Sequence, residues 1–121
     1  MKSEENVAGG EFTFEEYQEY AKGFRSYPSI GDCTLTYPIL GLAGEAGEVS
    51  NKYKKVFRDN GGLLNNEQKI GLALELGDVL WYLAMIAEEM GMSLGSIARM
   101  NIDKLVKRKE SGTINGSGNN R

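Results

Sequence analysis

Apolar residues recur at helical spacing in four stretches of this 121-residue chain. The pattern predicts an all-α, four-helix-bundle-like domain over residues 12–110, flanked by a loose 1–11 and a Gly/Asn-rich tail at 111–121. Phe14, Tyr17, Ala21 and Phe24 define the first helix. Thr13-Phe14-Glu15-Glu16 reads as its capping box, and Phe12 with Tyr17 as a hydrophobic staple. Pro38 suits the first turn of a second helix reaching about Phe57, with Leu42, Ala46, Val49, Tyr53 and Val56 on one stripe. A third helix runs from Asn66 or Glu67 to about Met90, with Gly91 as its stop. It is apolar nearly all round: Leu72, Leu76, Val79, Leu83 and Ala87 lie on one side, and Ile70, Leu74 and Trp81 on another. Such a helix needs cover on several faces, and in so short a chain a second copy would supply it, with Trp81 packing at that interface. Ser93 caps a fourth helix that runs to about Lys109, with Leu94, Ala98, Ile102 and Leu105 inward.

The polar residues that interrupt this pattern carry the candidate chemistry. Glu45 and Glu48 flank the apolar stripe of the second helix, and Glu75 and Asp78 lie on the one polar strip of the third. Residues three apart are neighbours on a helix surface. Four carboxylates on two packed helices repel unless a cation sits among them, and acids on an apolar helix are costly to bury unpaired. Oxygen-only donors suit Mg²⁺, with Mn²⁺ as an alternative. The plain structural reading is ion pairing with Lys52, Lys54, Lys55 or Lys104. Tyr82 continues the acidic strip, and Lys52 follows Glu48 by one turn. Asn101, Lys104 and Arg108 share a face of the fourth helix, where they read either as a phosphate- and base-binding set or as a solvated basic face. Gly41, Gly44 and Gly47 match no phosphate loop, and their spacing suits close approach of another helix.

Composition removes whole classes of chemistry. With no histidine, neither a Ser-His-Asp nor a Cys-His site can be built. A single cysteine, Cys33, excludes an intramolecular disulfide and a multi-cysteine zinc site. A net charge of −3 and a pI near 5.0 argue against a nucleic-acid partner. The N-terminus has no apolar run of a signal peptide, and no stretch reads as membrane-spanning, so the expected location is the cytoplasm.

Glu45-x-x-Glu48 followed by Glu75-x-x-Asp78 resembles the signature of the MazG-like nucleoside triphosphate pyrophosphohydrolases. Gly-Leu-Ala-Gly-Glu-Ala-Gly-Glu-Val at 41–49, Glu-Leu-Gly-Asp-Val-Leu-Trp-Tyr-Leu at 75–83, Asn101-x-x-Lys104-Leu105, Arg108 and the ending at 116–121 extend the likeness. It spans residues 27–121. The resemblance implies a homodimer or homotetramer that binds Mg²⁺ through Glu45, Glu48, Glu75 and Asp78. It also implies cleavage of NTP or dNTP to monophosphate and pyrophosphate, with Lys52, Lys55, Tyr82, Asn101, Lys104 and Arg108 at the substrate. Two positions depart from the family pattern: Gly44 stands where many members carry Glu, and Asn119 where relatives often have Asp. Gly44 leaves water activation to Glu48, Glu45 or the metal. A non-catalytic helical dimerisation module and a nucleotide sensor are the alternatives.

Overall fold

The computed structural model describes residues 10–112. The expected loose start and most of the Gly/Asn-rich tail therefore lie outside the described residues. Among the described residues there are four helices: α1 (Phe14–Ala21), extended by a 3₁₀ turn at Lys22–Phe24; α2 (Thr36–Asn60); α3 (Asn66–Glu89); and α4 (Leu94–Ser111). No strand occurs among the described residues, only an isolated bridge between Ile30 and Cys33 in the connector.

Local chemistry sets the helix ends. The Thr13 hydroxyl accepts from the Glu16 N–H at 3.1 Å, and Phe12 meets Tyr17 edge-on at 6.3 Å. Asn65 and Gln68 form a reciprocal capping box at the start of α3, so both orphan donors are satisfied there. Ser93 accepts from the Ser96 N–H at 3.1 Å. Gly61 ends α2 at φ +62°, a left-handed conformation that side-chain-bearing residues rarely adopt.

α2 and α3 form a long antiparallel hairpin. The packing of Gly41 against Tyr82 and of Gly71 against Lys52 fixes its register. That register brings Glu45 level with Asp78, and Glu48 level with Glu75. α1 crosses the far end of the hairpin, and the core gathers there from Ala21, Ala84, Met85 and Leu94, with Tyr17, Tyr27, Leu80 and Trp81 packed against it. Gln18 ties the crossing together. It is buried, donates to Glu88 at 3.1 Å and to the Met92 carbonyl at 3.0 Å, and accepts from the Leu94 N–H at 2.6 Å.

Several expectations change, among them Ile102 of α4, expected inward and 54% exposed. Trp81 packs within the subunit, with Nε1 donating to the Ala21 carbonyl at 3.0 Å, because α1 covers that side of α3. Of the residues expected inward on α3, Ala87 is buried, whereas Leu76 is 53% exposed and Leu83 40% exposed. The core residues of α3 lie towards its C-terminal end, and Ile70 and Leu74 are open. α3 is also long and apolar enough to cross a membrane by length and composition. This differs from the sequence expectation that no stretch is of membrane-spanning length.

Candidate metal centre

Glu45 from α2 and Glu75 and Asp78 from α3 bring their carboxylate oxygens within 4.8 Å of one another. Oxygens that share one ion at about 2.0–2.4 Å are at most about 4.8 Å apart, so the spacing suits a single hard dication. Glu45 and Glu75 are half-buried and Asp78 is exposed, which leaves one side open to a ligand. Burial, then the charges of Asp78, Glu75 and Glu48, hold the Glu45 carboxyl above its ordinary range. A cation in the cluster would relieve that repulsion. Glu48 is exposed and is not one of the three converging acids, although its charge acts on Glu45.

Glycine brackets the acids at both ends. On one side the ring of Tyr82 lies directly on the Gly41 backbone, where any Cβ would collide with it. Trp81 meets this ring edge-on at 5.0 Å. Burial, followed by Tyr37, Glu45 and Asp78, raises the Tyr82 hydroxyl pKa. Burial and then Asp78 do the same for Tyr17. Tyr17 and Tyr37 thus border the site, although neither is a site candidate in the sequence. For Tyr37 a signal existed: it precedes Gly41 and Glu45 by one and two helical turns on the same face of α2. Tyr17 gave none, since its place depends on how α1 crosses α3.

On the other side Lys52 pairs with Glu75 at 3.3 Å. Its Nζ would lie 3.5 Å from a Cβ at Gly71. Lys52 and Lys55 also line a cleft of about 450 Å³ with Asp59, Asn65, Glu67 and Gly71. The fourth-helix set is not joined to the acids within one chain. Asn101 and Lys104 line a separate cavity of about 390 Å³ with Met90, Met92, Ile97 and Met100. Arg108 is half-buried, and its Nε is buried without a hydrogen-bond partner. Glu89, two turns beyond Tyr82, is taken up elsewhere, by Arg25 at 2.7 Å and Tyr27 at 2.8 Å. Cys33 is exposed, and hydrogen bonds from Thr36 and Leu35 lower its thiol pKa.

A helical hairpin that gathers carboxylates on one flank, beside a lysine-lined cleft, defines a helical protein with a metal-competent acidic site. The chain belongs to the MazG family, since the model for the MazG nucleotide pyrophosphohydrolase domain matches residues 34–113. That span contains all of the acids and both flanking lysines. Among similar proteins, the Gene 37 protein of Mycobacterium phage L5 is 44% identical over 109 residues, covering 87% of this chain and 96% of that protein. No solved structure matches the chain.

Proposed function

We propose that this chain is a Mg²⁺-dependent pyrophosphohydrolase that converts NTP or dNTP to the nucleoside monophosphate and pyrophosphate. The observation that carries the reading is the convergence of Glu45, Glu75 and Asp78 from two helices onto one point. Those three acids would hold the ion; Mn²⁺ fits the same donors. When bound, the ion supplies Lewis-acid stabilisation of phosphate charge and acidifies water. Exposed Glu48 takes the proton as water attacks the α-phosphorus. The bond to the α–β bridging oxygen then breaks, and pyrophosphate leaves. Lys52 and Lys55 steady the outgoing phosphates from the cleft. Tyr82, with Tyr37 beside it, offers a flat face for the nucleoside.

Asn101, Lys104 and Arg108 join the substrate from a second copy in a homodimer or homotetramer. That copy would cover the open leucines of α3. Lipid is a poorer cover, because Glu75 and Asp78 sit mid-helix and are costly in hydrocarbon. The protein is accordingly assigned to the cytoplasm, in control or house-cleaning of the nucleotide pool.

The test is incubation with Mg²⁺ and a panel of NTPs and dNTPs, with product identification. Monophosphate and pyrophosphate are expected, and orthophosphate released from the γ position would refute the assignment. Glu75→Gln should abolish turnover and leave the helical spectrum unchanged. A Mg²⁺-dependent rise in melting temperature without product would favour the sensor instead.

A further inference from the structure

Lys52 stands at a boundary that the reaction alone does not account for. Its ammonium lies 3.3 Å from Glu75, on the edge of the acidic cluster, and the same side chain forms a wall of the neighbouring cleft. Gly71 faces it across the hairpin. It sits one turn before Glu75 on α3, and even a Cβ there would only reach ordinary contact with Lys52, at 3.5 Å from Nζ and 3.8 Å from Cδ. The missing side chain leaves a lane between the two compartments. Lys52 is about half-exposed, with 43% of its side chain accessible, so the four-carbon stem is free to travel along that lane.

Resting on the metal-site reading above, we infer that Lys52 is a resident counter-ion of the metal-free site, which a dication displaces into the cleft to bind phosphate. In the metal-free protein the ammonium offsets part of the repulsion among Glu45, Glu75 and Asp78. A dication among the same oxygens repels it and removes its partner. The adjoining open volume is the cleft it shares with Lys55, which Asp59 and Glu67 also line; there the two ammonium groups can turn from these carboxylates to the phosphates of a metal-bound polyanion. Metal and phosphate binding are thereby coupled through one side chain: Lys52 opposes the first and supports the second. This ordering favours entry of the metal before the lysine can grip a phosphate tail.

The test uses the full chain and two probes. Mn²⁺ binding without nucleotide is followed by electron paramagnetic resonance, and pyrophosphate binding by equilibrium dialysis at fixed free Mg²⁺. Lys52→Met keeps the stem and removes the charge. It should tighten Mn²⁺ about two- to five-fold, the scale of a partly exposed ion pair, and weaken pyrophosphate roughly ten-fold. Lys55→Met should weaken pyrophosphate and leave Mn²⁺ binding unchanged. Unchanged or weaker Mn²⁺ binding in Lys52→Met would overturn the inference, as would equal tightening in Lys55→Met, which would indicate only a diffuse field. The Lys52→Gln variant should reproduce the opposite signs, whereas a merely structural role would move both affinities the same way. Absence of Mn²⁺ binding in the unaltered protein would overturn the metal site itself, a failure distinct from that of the lysine.

Discussion

Alanine at Gly41 isolates the contact that lets α2 and α3 approach at the site. An added Cβ would overlap Tyr82 at Cε1 and Cζ and lie 2.8 Å from Cδ1. The ring would have to retreat by about 1 Å to restore ordinary contact. It has little room, since the Trp81 ring packs against it at 5.0 Å and Trp81 is itself tethered to Ala21. Overpacking of this kind costs about 1–3 kcal/mol. Helix propensity returns about 1 kcal/mol when Ala replaces Gly. The net expectation is a loss of about 0–2 kcal/mol in urea unfolding at fixed protein concentration. Gly44 and Gly47 supply the control, because nothing lies within 4 Å of a Cβ at either position. Alanine there should stabilise by about 1 kcal/mol each. Turnover should separate the variants further, because a ring moved by about 1 Å beside Glu45 and Asp78 misplaces the substrate, and such misplacement costs on the order of 10²-fold. The reasoning fails if Gly41→Ala is as stable as Gly44→Ala and retains full activity. A destabilising Gly44→Ala would instead indicate that another copy packs on that glycine.

Other consequences follow from contacts away from the acids. Gln18→Leu removes three hydrogen bonds at a buried crossing and leaves the Leu94 N–H unpaired, so urea unfolding should report a loss of about 2–4 kcal/mol. Trp81→Phe should cost about 1 kcal/mol for the lost bond to Ala21, and an unchanged midpoint would deny that bond any weight. The Tyr27–Glu89–Arg25 network predicts pH limits to stability. The hydrogen bond from Tyr27 leads the effects that hold the Glu89 carboxyl below its ordinary 4.5, so its contribution is complete above pH 4.5 and lost as the pH falls through the lowered value. Burial, then the bond to Glu89, pushes Tyr27 up to about 12 from 10.0, so its contribution is complete below pH 10.0 and lost as the pH rises towards 12. Glu89→Gln should flatten the acid side of a melting-temperature profile, and an unaltered acid limb would dismiss the network.

Local signals made the helices legible. Thr13, Ser93, Pro38 and Gly91 act within one turn of their own backbone, and each stands at the helix end that the sequence assigned to it. The convergence of Glu45 with Glu75 and Asp78 was also legible, because i, i+3 spacing on two neighbouring helices leaves few alternatives. Burial on α3 was not. Leu76 and Leu83 fit the inward pattern as well as Ala87 does, and only the path of α1 decides that the covered end is the one bearing Ala84 and Met85. The partner of Trp81 is hidden for the same reason, being a carbonyl 60 residues away in sequence. Glu48 shows the limit of spacing arguments. It lies within one turn of Glu45, yet its carboxylate is outside the converging group, because side-chain rotamers and the register of the hairpin lie beyond helical periodicity.

The hairpin register also gives the site a direction. Gly41 and Gly71 lie on opposite sides of the acidic cluster, and each is covered by a side chain from the facing helix. The cover at Gly41 is an aromatic ring with Tyr37 and Trp81 near it. At Gly71 it is an ammonium that opens onto a second lysine. A glycine in a helix interior costs about 1 kcal/mol against alanine, and here both placements yield a flat apolar end and a cationic end on either side of the carboxylates. A nucleoside triphosphate has the same polarity, with a flat base at one end, anionic phosphates at the other and the scissile phosphoanhydride between. Under the proposed function the base lies towards Tyr82 and the β- and γ-phosphates towards Lys52 and Lys55, which sets the α-phosphorus beside Glu45, Glu75 and Asp78. The opposite orientation would bury the polyphosphate among tyrosines and set the base against the charged side chains of the lysine cleft.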